Sequence, residues 1–73
     1  MNSILEFLIE AKKQTYANGL ARKVENTRLG SKDYEYQKDN MLYHDTYFGG
    51  VNFIGEEVVY IEQSVYWAMN YYG

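Results

Sequence analysis

The sequence predicts a single α+β domain in which one N-terminal helix packs on a four- or five-stranded antiparallel sheet. Apolar residues recur at helical spacing near the N-terminus, from Ile4 to Ala11. From Tyr34 onward, the residues alternate with the period of strands, and turn-forming residues separate the runs. The chain has 73 residues, which is enough for one domain spanning residues 1–73 and only a thin core.

The helix is predicted over residues 3–17. Ser3 and Glu6 have the spacing of a capping box, in which each side chain satisfies a free amide at the helix start. Asn18-Gly19 offers the left-handed conformation that ends helices. Residues 18–32 show neither period and are rich in Lys and Arg, so they are predicted to form a basic loop. Long loops in small domains are often functional, which makes this loop the first candidate for a binding element.

The sheet is predicted over residues 33–73. Its turns are expected at Lys38-Asp39-Asn40, at Gly49-Gly50 and at Glu62-Gln63-Ser64. Gly55 interrupts an extended run and is interpreted as a bulge or bend. Both faces of the sheet carry aromatic residues. One face is expected to lie under the helix, while the other meets water, a ligand or a second subunit.

The composition excludes several classes of protein. The chain has no Cys and only one His, His44, which excludes disulfides and makes a structural zinc site untenable. Nine Tyr, three Phe and one Trp are a heavy aromatic load for so small a core, so we expect a homodimer or higher oligomer. No signal peptide or membrane span is recognisable. The expected location is the cytoplasm, or the host cytoplasm if a phage encodes the chain.

The charge is divided between the two halves of the chain. Residues 1–32 hold six Lys and Arg against three acidic residues, whereas residues 33–73 hold one against seven. The basic segment either pairs with an acidic sheet or forms a rim for a small anion. Long nucleic acid is an unsuitable partner because most of the sheet would repel its phosphates.

Five segments of the chain resemble a small bacterial and archaeal domain that is counted among domains of unknown function. The segments are Phe7-Leu-Ile-Glu-Ala-Lys-Lys with Tyr16-Ala-Asn-Gly19, Gly30-Ser-Lys-Asp-Tyr-Glu-Tyr36, Tyr43-His-Asp-Thr-Tyr-Phe-Gly-Gly50, Phe53-Ile-Gly-Glu-Glu-Val-Val-Tyr60 and Trp67-Ala-Met-Asn-Tyr-Tyr-Gly73.

That domain sometimes follows a helix-turn-helix domain, so the resemblance implies a sensory module. Its longer members continue into a second, similar segment, whereas this chain stops at Gly73. The resemblance therefore implies a half-length version that could complete itself as a homodimer. A proline often stands two positions before the family's tryptophan, and here Val65 occupies that place. The resemblance supplies no catalytic residues.

An enzymatic site would draw on His44, Asp45, Glu56 and Glu57. His44 could act as a general base beside a carboxylate, or the carboxylates could gather around Mg²⁺. The geometry opposes both, because neighbours on a strand point to opposite faces of a sheet. We therefore assign no catalytic residue, no metal ligand and no cofactor.

Aromatic and basic residues give a stronger prediction of ligand binding. Rings could stack on a planar base, cations could bind phosphate, and Glu56 or Asn70 could contact the edge of the base. The candidate ligand-binding residues are Arg22, Lys23, Arg28, Lys32, Tyr43, His44, Tyr47, Glu56, Glu57, Trp67, Asn70 and Tyr72.

The leading functional hypothesis is a non-enzymatic binder of a small, nucleotide-type anion. By analogy alone, a phage protein that sequesters an immune nucleotide signal would be such a case. One alternative is a protein-interaction or inhibitor module that acts through an aromatic surface. A second alternative is a minimal metal-dependent phosphodiesterase.

Overall fold

The structure, a computed structural model, describes residues 3–14 and 22–73. It contains one helix, α1 (Ser3–Lys12), with a wider helical turn at residues 13–14. Five strands follow: β1 (Arg22–Val24), β2 (Lys32–Lys38), β3 (Met41–Gly49), β4 (Phe53–Ile61) and β5 (Ser64–Tyr72). They form one antiparallel sheet in the order β1-β2-β3-β4-β5. The α+β prediction of a helix followed by an antiparallel sheet is confirmed.

A small core lies between α1 and the middle of the sheet. Phe7 and Ala11, one helical turn apart, contact the buried side chains of Tyr43 and Val59. Trp67 and several partly buried apolar residues pack around them. We call this side of the sheet the helix face. The other side, which carries Asp33, His44, Thr46 and Glu56, is the loop face, because side chains alternate along each strand.

A polar contact ties the helix to β2 at the edge of this core. The Tyr36 hydroxyl donates to Oε2 of Glu10, and the Lys38 ammonium lies 3.1 Å from Oε1 of the same carboxylate. The hydrogen bond from Tyr36, together with Lys38, lowers the pKa of Glu10, and the same bond raises the pKa of Tyr36. The contact joins α1 to β2 beside the core.

The hairpin turns lie where the sequence predicts them. Asp39 follows β2 with φ of 57°, and Gly49 leaves β3 with φ of 98°. Glu62 and Gln63 join β4 to β5 with φ of 51° and 71°. A two-residue turn with positive φ at both positions matches the twist of an antiparallel pair, although Asn and Gly adopt it more readily than Glu and Gln.

Two details differ from the sequence prediction. Residues 22–24, predicted to lie in the basic loop, form β1, whose three residues are too few to show a period. Its register sets the Arg22 position opposite Glu35. Gly55 is neither a bulge nor a bend, since β4 runs through it in register, and the irregularity lies between Val59 and Tyr60. The predicted helix end at residues 15–17 lies outside the described residues.

Within the described ranges, no helix is long and apolar enough to cross a membrane.

Candidate functional site

The carboxylate of Asp33 organises the loop face at the start of β2. Its side chain is fully buried. Oδ1 accepts hydrogen bonds from the Thr27 amide at 3.1 Å and from the Ser31 hydroxyl at 2.7 Å. Oδ2 accepts from the hydroxyls of Thr27 at 3.0 Å and Thr46 at 2.6 Å, and lies 2.7 Å from Nε2 of His44. The residues before β2 are thereby fastened to β3.

These contacts keep the carboxylate ionised. Burial raises the pKa of Asp33, but hydrogen bonds from Thr46, His44 and Ser31 and from the Thr27 amide outweigh it and hold the pKa well below its usual range. A carboxylate that accepts several hydrogen bonds is favoured in its charged form. Asp33 therefore acts as a fixed anionic anchor.

A tight turn over residues 28–31 sets the position of Arg28. The Ser31 amide donates to the Arg28 carbonyl at 3.0 Å, and the Arg28 amide donates to the Ser31 hydroxyl oxygen at 3.1 Å. The Ser31 hydroxyl oxygen also lies 2.9 Å from the Arg28 carbonyl oxygen, while its single proton is directed to Asp33. Gly30 supplies the positive φ of 84° that the turn requires. Because Ser31 also bonds to Asp33, the backbone of Arg28 is held beside the sheet while its side chain is exposed.

The anchored segment forms one wall of a cleft on the loop face. The cleft has a volume of about 380 Å³. Arg28 lines it together with Glu56 of β4 and Asn70 of β5, which are direct partners in the β4–β5 register. The other lining residues are Thr27, Thr46, Phe48, Ile54 and Gly55. The cleft therefore offers a cation, a carboxylate, an amide and an aromatic ring within one small volume.

His44 lies between two carboxylates, but neither is Asp45. Its Nε2 contacts Asp33, and its Nδ1 lies 3.2 Å from Glu35, the residue opposite it on β2. Asp45 points to the helix face instead. His44 thus belongs to the anchor on the loop face, and the sequence-level objection to a His44–Asp45 pair agrees with this geometry.

Two buried carboxylates lie side by side on the helix face. Asp45 and Glu57 are direct partners in the β3–β4 register. Asp45 accepts a hydrogen bond from the Tyr71 hydroxyl at 2.6 Å, and Glu57 accepts one from Tyr43 at 2.6 Å. The Lys12 ammonium of α1 lies 3.2 Å from Glu57. Among the described residues no group of three His, Asp or Glu side chains is arranged to hold a metal ion.

A second cleft, of about 430 Å³, opens on the helix face beyond the core. Lys32 lies 5.6 Å above the Tyr47 ring, and Tyr34 stacks on the same ring with centroids 6.3 Å apart. Burial raises the pKa of Tyr47. Phe53, Tyr71 and the Gly49-Gly50 turn complete the lining. This cleft is more aromatic than the first, and Lys32 is its cation.

The predicted binding residues are therefore divided between the two faces. Arg28, Glu56 and Asn70 meet in the first cleft, and Tyr72 is largely exposed next to its wall, opposite Ile54. Lys32 and Tyr47 meet in the second cleft.

Of the remaining predicted residues, those whose side chains the structure describes lie outside both clefts. Tyr43 and Glu57 are buried, which leaves them no open surface for a ligand, and the partly buried Trp67 packs against the core. Lys23 is exposed on β1 opposite Tyr34. His44 lies in the anchor, and Arg22 is placed by its backbone on β1. No single site collects all the rings and cations, because neighbouring strand residues alternate between faces.

A family model described as Domain of unknown function (DUF5680) matches residues 45–73. The match covers less than half of the chain, and it agrees with the resemblance to a small domain of unknown function. No curated protein and no solved structure matches the chain. The matched segment supplies the part of the first cleft contributed by β3, β4 and β5, whereas Thr27 and Arg28 precede it.

The residues that build the anchor are not among the predicted site residues. They are Asp33, Thr27, Ser31 and Thr46. A signal was present in the pattern Thr-Arg-Leu-Gly-Ser-Lys-Asp at residues 27–33, where Ser and Asp flank a Gly turn. Such side chains often bond to nearby backbone groups. The hydrogen bond between Asp33 and Thr46 of β3 could not be predicted, because it depends on the register between β2 and β3.

Proposed function

We propose that the chain binds a small anionic, nucleotide-type ligand in the loop-face cleft and does not transform it. The observation that carries the proposal is the position of Arg28. A buried, charged anchor holds its backbone at the edge of a cleft whose opposite side presents Glu56 and Asn70.

The chemistry of the cleft favours a ligand with two different ends. The Arg28 guanidinium suits a phosphate, to which it can donate two parallel hydrogen bonds. The Glu56 carboxylate would repel a second phosphate but accepts hydrogen bonds from amino or hydroxyl groups. The Asn70 amide both donates and accepts. A nucleotide carries an anionic phosphate at one end and such donor groups on its sugar and base.

The walls of the cleft suit a planar base. Phe48 and Ile54 line it, and the ring of Phe48 offers a surface on which a base can stack. A volume of about 380 Å³ lies at the lower end of the range for small-molecule sites. A mononucleotide or small cyclic nucleotide suits this size better than a long strand.

The finer functional expectations remain part of the proposal. Sequestration of a nucleotide immune signal by a phage protein rests on analogy, and so does a sensory role behind a helix-turn-helix domain. The alternative of a protein-interaction module gains one observation, because Leu5 and Ile9 on α1 are about half exposed, at 53% and 49%. Association of two copies is a separate question that concerns the assembly and not the ligand.

Calorimetry against a panel of cyclic and linear nucleotides tests the proposal. We expect at least one nucleotide to bind at micromolar protein, and Arg28→Gln to weaken it by about ten-fold or more, as for loss of a charge-assisted hydrogen bond. Lys23→Gln is the matched control, since it removes an exposed cation outside both clefts. It should leave the affinity unchanged.

Lys32→Gln separates the two clefts. If Lys32→Gln weakens binding and Arg28→Gln does not, the ligand occupies the helix-face cleft and the assignment is wrong. If no nucleotide binds, the proposal fails. Recovery of one stoichiometric protein partner in place of a nucleotide would then favour the interaction module.

A further inference from the structure

Strand β5 forms one edge of the sheet and carries neither the charged residues nor the proline that commonly protect an edge. Within the described part of the chain it pairs with β4 alone. Its nine residues, Ser64–Tyr72, contain no charged side chain, and the chain has no proline. Edge strands present unpaired N–H and C=O groups, and natural proteins commonly shield them with Lys, Pro or bulges. The irregularity opposite Tyr60 affects only the start of β5.

Four large apolar side chains along β5 are open to solvent. Val65 is 65% exposed, Tyr66 60%, Met69 38% and Tyr72 85%. Most of the large exposed apolar residues elsewhere lie on turns or on α1, so β5 is the strand on which they concentrate. Exposed apolar side chains on both faces of an edge strand favour its pairing with another strand.

We propose that β5 pairs antiparallel with β5 of a second copy, which gives a two-fold symmetric dimer with a continuous ten-stranded sheet. Two-fold pairing sets each residue opposite another uncharged one, so no like charges face each other across the new strand pair. The two α1 helices then lie on the same side of the joined sheet. This inference does not depend on the ligand proposal.

The opposite edge of the sheet favours a second copy of β5 as the partner and a closed dimer. Strand β1 has three residues, Arg22–Val24, two of which are cations. A strand of three residues can form backbone hydrogen bonds with only a small part of the nine-residue β5 edge, and its charged side chains oppose an apolar partner. Pairing of β5 with β1 of the next copy would extend without limit, whereas pairing of β5 with β5 uses both long edges and closes.

The available area indicates a dimer of moderate affinity. If Val65, Tyr66, Met69 and Tyr72 were all covered, each copy would bury on the order of 400–500 Å² of side-chain surface, judged from typical aromatic areas. The total then lies near the lower limit for specific interfaces, about 1,000 Å². Each copy also carries a net charge of −3. We therefore expect dissociation in the micromolar range and tighter association at higher salt.

Sedimentation velocity over a range from low-micromolar to sub-millimolar protein tests the inference. The mass of the wild-type chain should rise from one copy to two and stop there. Ala68→Lys adds a charge at an exposed position in the middle of β5 and should raise the dissociation constant at least ten-fold. Val51→Lys is the matched control, because Val51 is 97% exposed in the turn between β3 and β4. It should leave dimerisation unchanged.

Amide hydrogen exchange of the wild-type chain locates the interface without relying on a variant that could misfold. Alternate amides of β5 in the wild-type chain should become more protected as protein concentration rises. Arg28→Gln should dimerise like the wild type, so failure of the ligand proposal is distinguishable from failure of this one. A monomer at every concentration would overturn the inference. So would a dimer insensitive to Ala68→Lys, growth beyond two copies, or protection confined to another strand.

Discussion

The carboxylate of Asp33 is the buried anchor of the loop-face cleft, and Asp33→Asn removes its charge while keeping its shape. The wild-type carboxylate accepts hydrogen bonds from Thr27, Ser31 and Thr46 and contacts His44. An amide has one accepting oxygen and one donating nitrogen in place of two accepting oxygens. At the Oδ1 position the nitrogen faces the Thr27 amide, which cannot accept. At the Oδ2 position it faces three groups that donate to the wild-type oxygen.

The expected loss of stability is about 2–4 kcal/mol. One hydrogen bond to a charged group contributes about 1.5–3 kcal/mol, and a buried group left without a partner costs a similar amount. The hydroxyls can rotate to accept, which recovers part of the loss, and contributions within one network do not add. A domain of this size has a free energy of unfolding of roughly 4–11 kcal/mol. The variant should therefore fold but be markedly less stable.

Urea unfolding followed by the fluorescence of Trp67, the one tryptophan, measures the loss. Asp39→Asn is the matched control, because Asp39 is exposed in a turn with positive φ that Asn also adopts. It should change the free energy of unfolding by less than about 0.5 kcal/mol.

The pH dependence gives a second signature. The pKa of Asp33 is lower in the folded chain than in the unfolded one, so its stabilisation is present above the unfolded pKa of about 3.9 and is lost as pH falls below it. The difference between wild type and Asp33→Asn should shrink below about pH 4. An Asp33→Asn variant as stable as the Asp39→Asn control, or a difference that grows in acid, would refute the anchor.

Three further substitutions test the packing. Gly55→Ala should lower the free energy of unfolding by about 1–3 kcal/mol, because the added Cβ would overlap the Tyr71 ring. Gly50→Ala is the control and should be nearly neutral, because its Cβ meets nothing within 4 Å. Equal urea midpoints for the two variants would contradict the contact between Gly55 and Tyr71. Tyr71→Phe should cost about 1–3 kcal/mol in urea unfolding by removing a hydrogen bond to buried Asp45, and an unchanged midpoint would count against that bond. Gln63→Gly relieves a left-handed backbone with φ of 71° and should raise the thermal midpoint by a few degrees, whereas a fall would contradict the turn geometry.

Much of the fold follows from local patterns in the sequence. The helical spacing of Phe7 and Ala11 marks the buried face of α1, and the alternation from Tyr34 onward marks the four longer strands. Strand β1 could not be predicted because three residues show no period. The local pattern around Gly55 suggests a bulge or bend, but the glycine instead makes room for a contact between two strands. The Tyr71 ring lies across Gly55, and its hydroxyl donates to Asp45. No local pattern reveals such a contact.

The candidate site was predictable only in part. Arg28, Glu56 and Asn70, which residue type alone makes candidates, line one cleft. Their separation from Lys32 and Tyr47 depends on which face each residue takes in the sheet. Tyr43 was expected at a ligand and instead lies in the core, because a thin core recruits large rings. The Asp33 anchor forms only when residues 27–31 fold back beside β2 and β3, which no local pattern shows.

A nitrogen-15 NMR titration with the nucleotide panel tests the central claim most directly, because it reports where a ligand binds. The account predicts saturable shifts of the backbone amides of Thr27, Arg28, Glu56 and Asn70, which line the loop-face cleft. The amides of Lys32 and Gly50 at the helix-face cleft should stay in place. Shifts confined to the helix-face cleft, or a spectrum unchanged by every nucleotide, would contradict it.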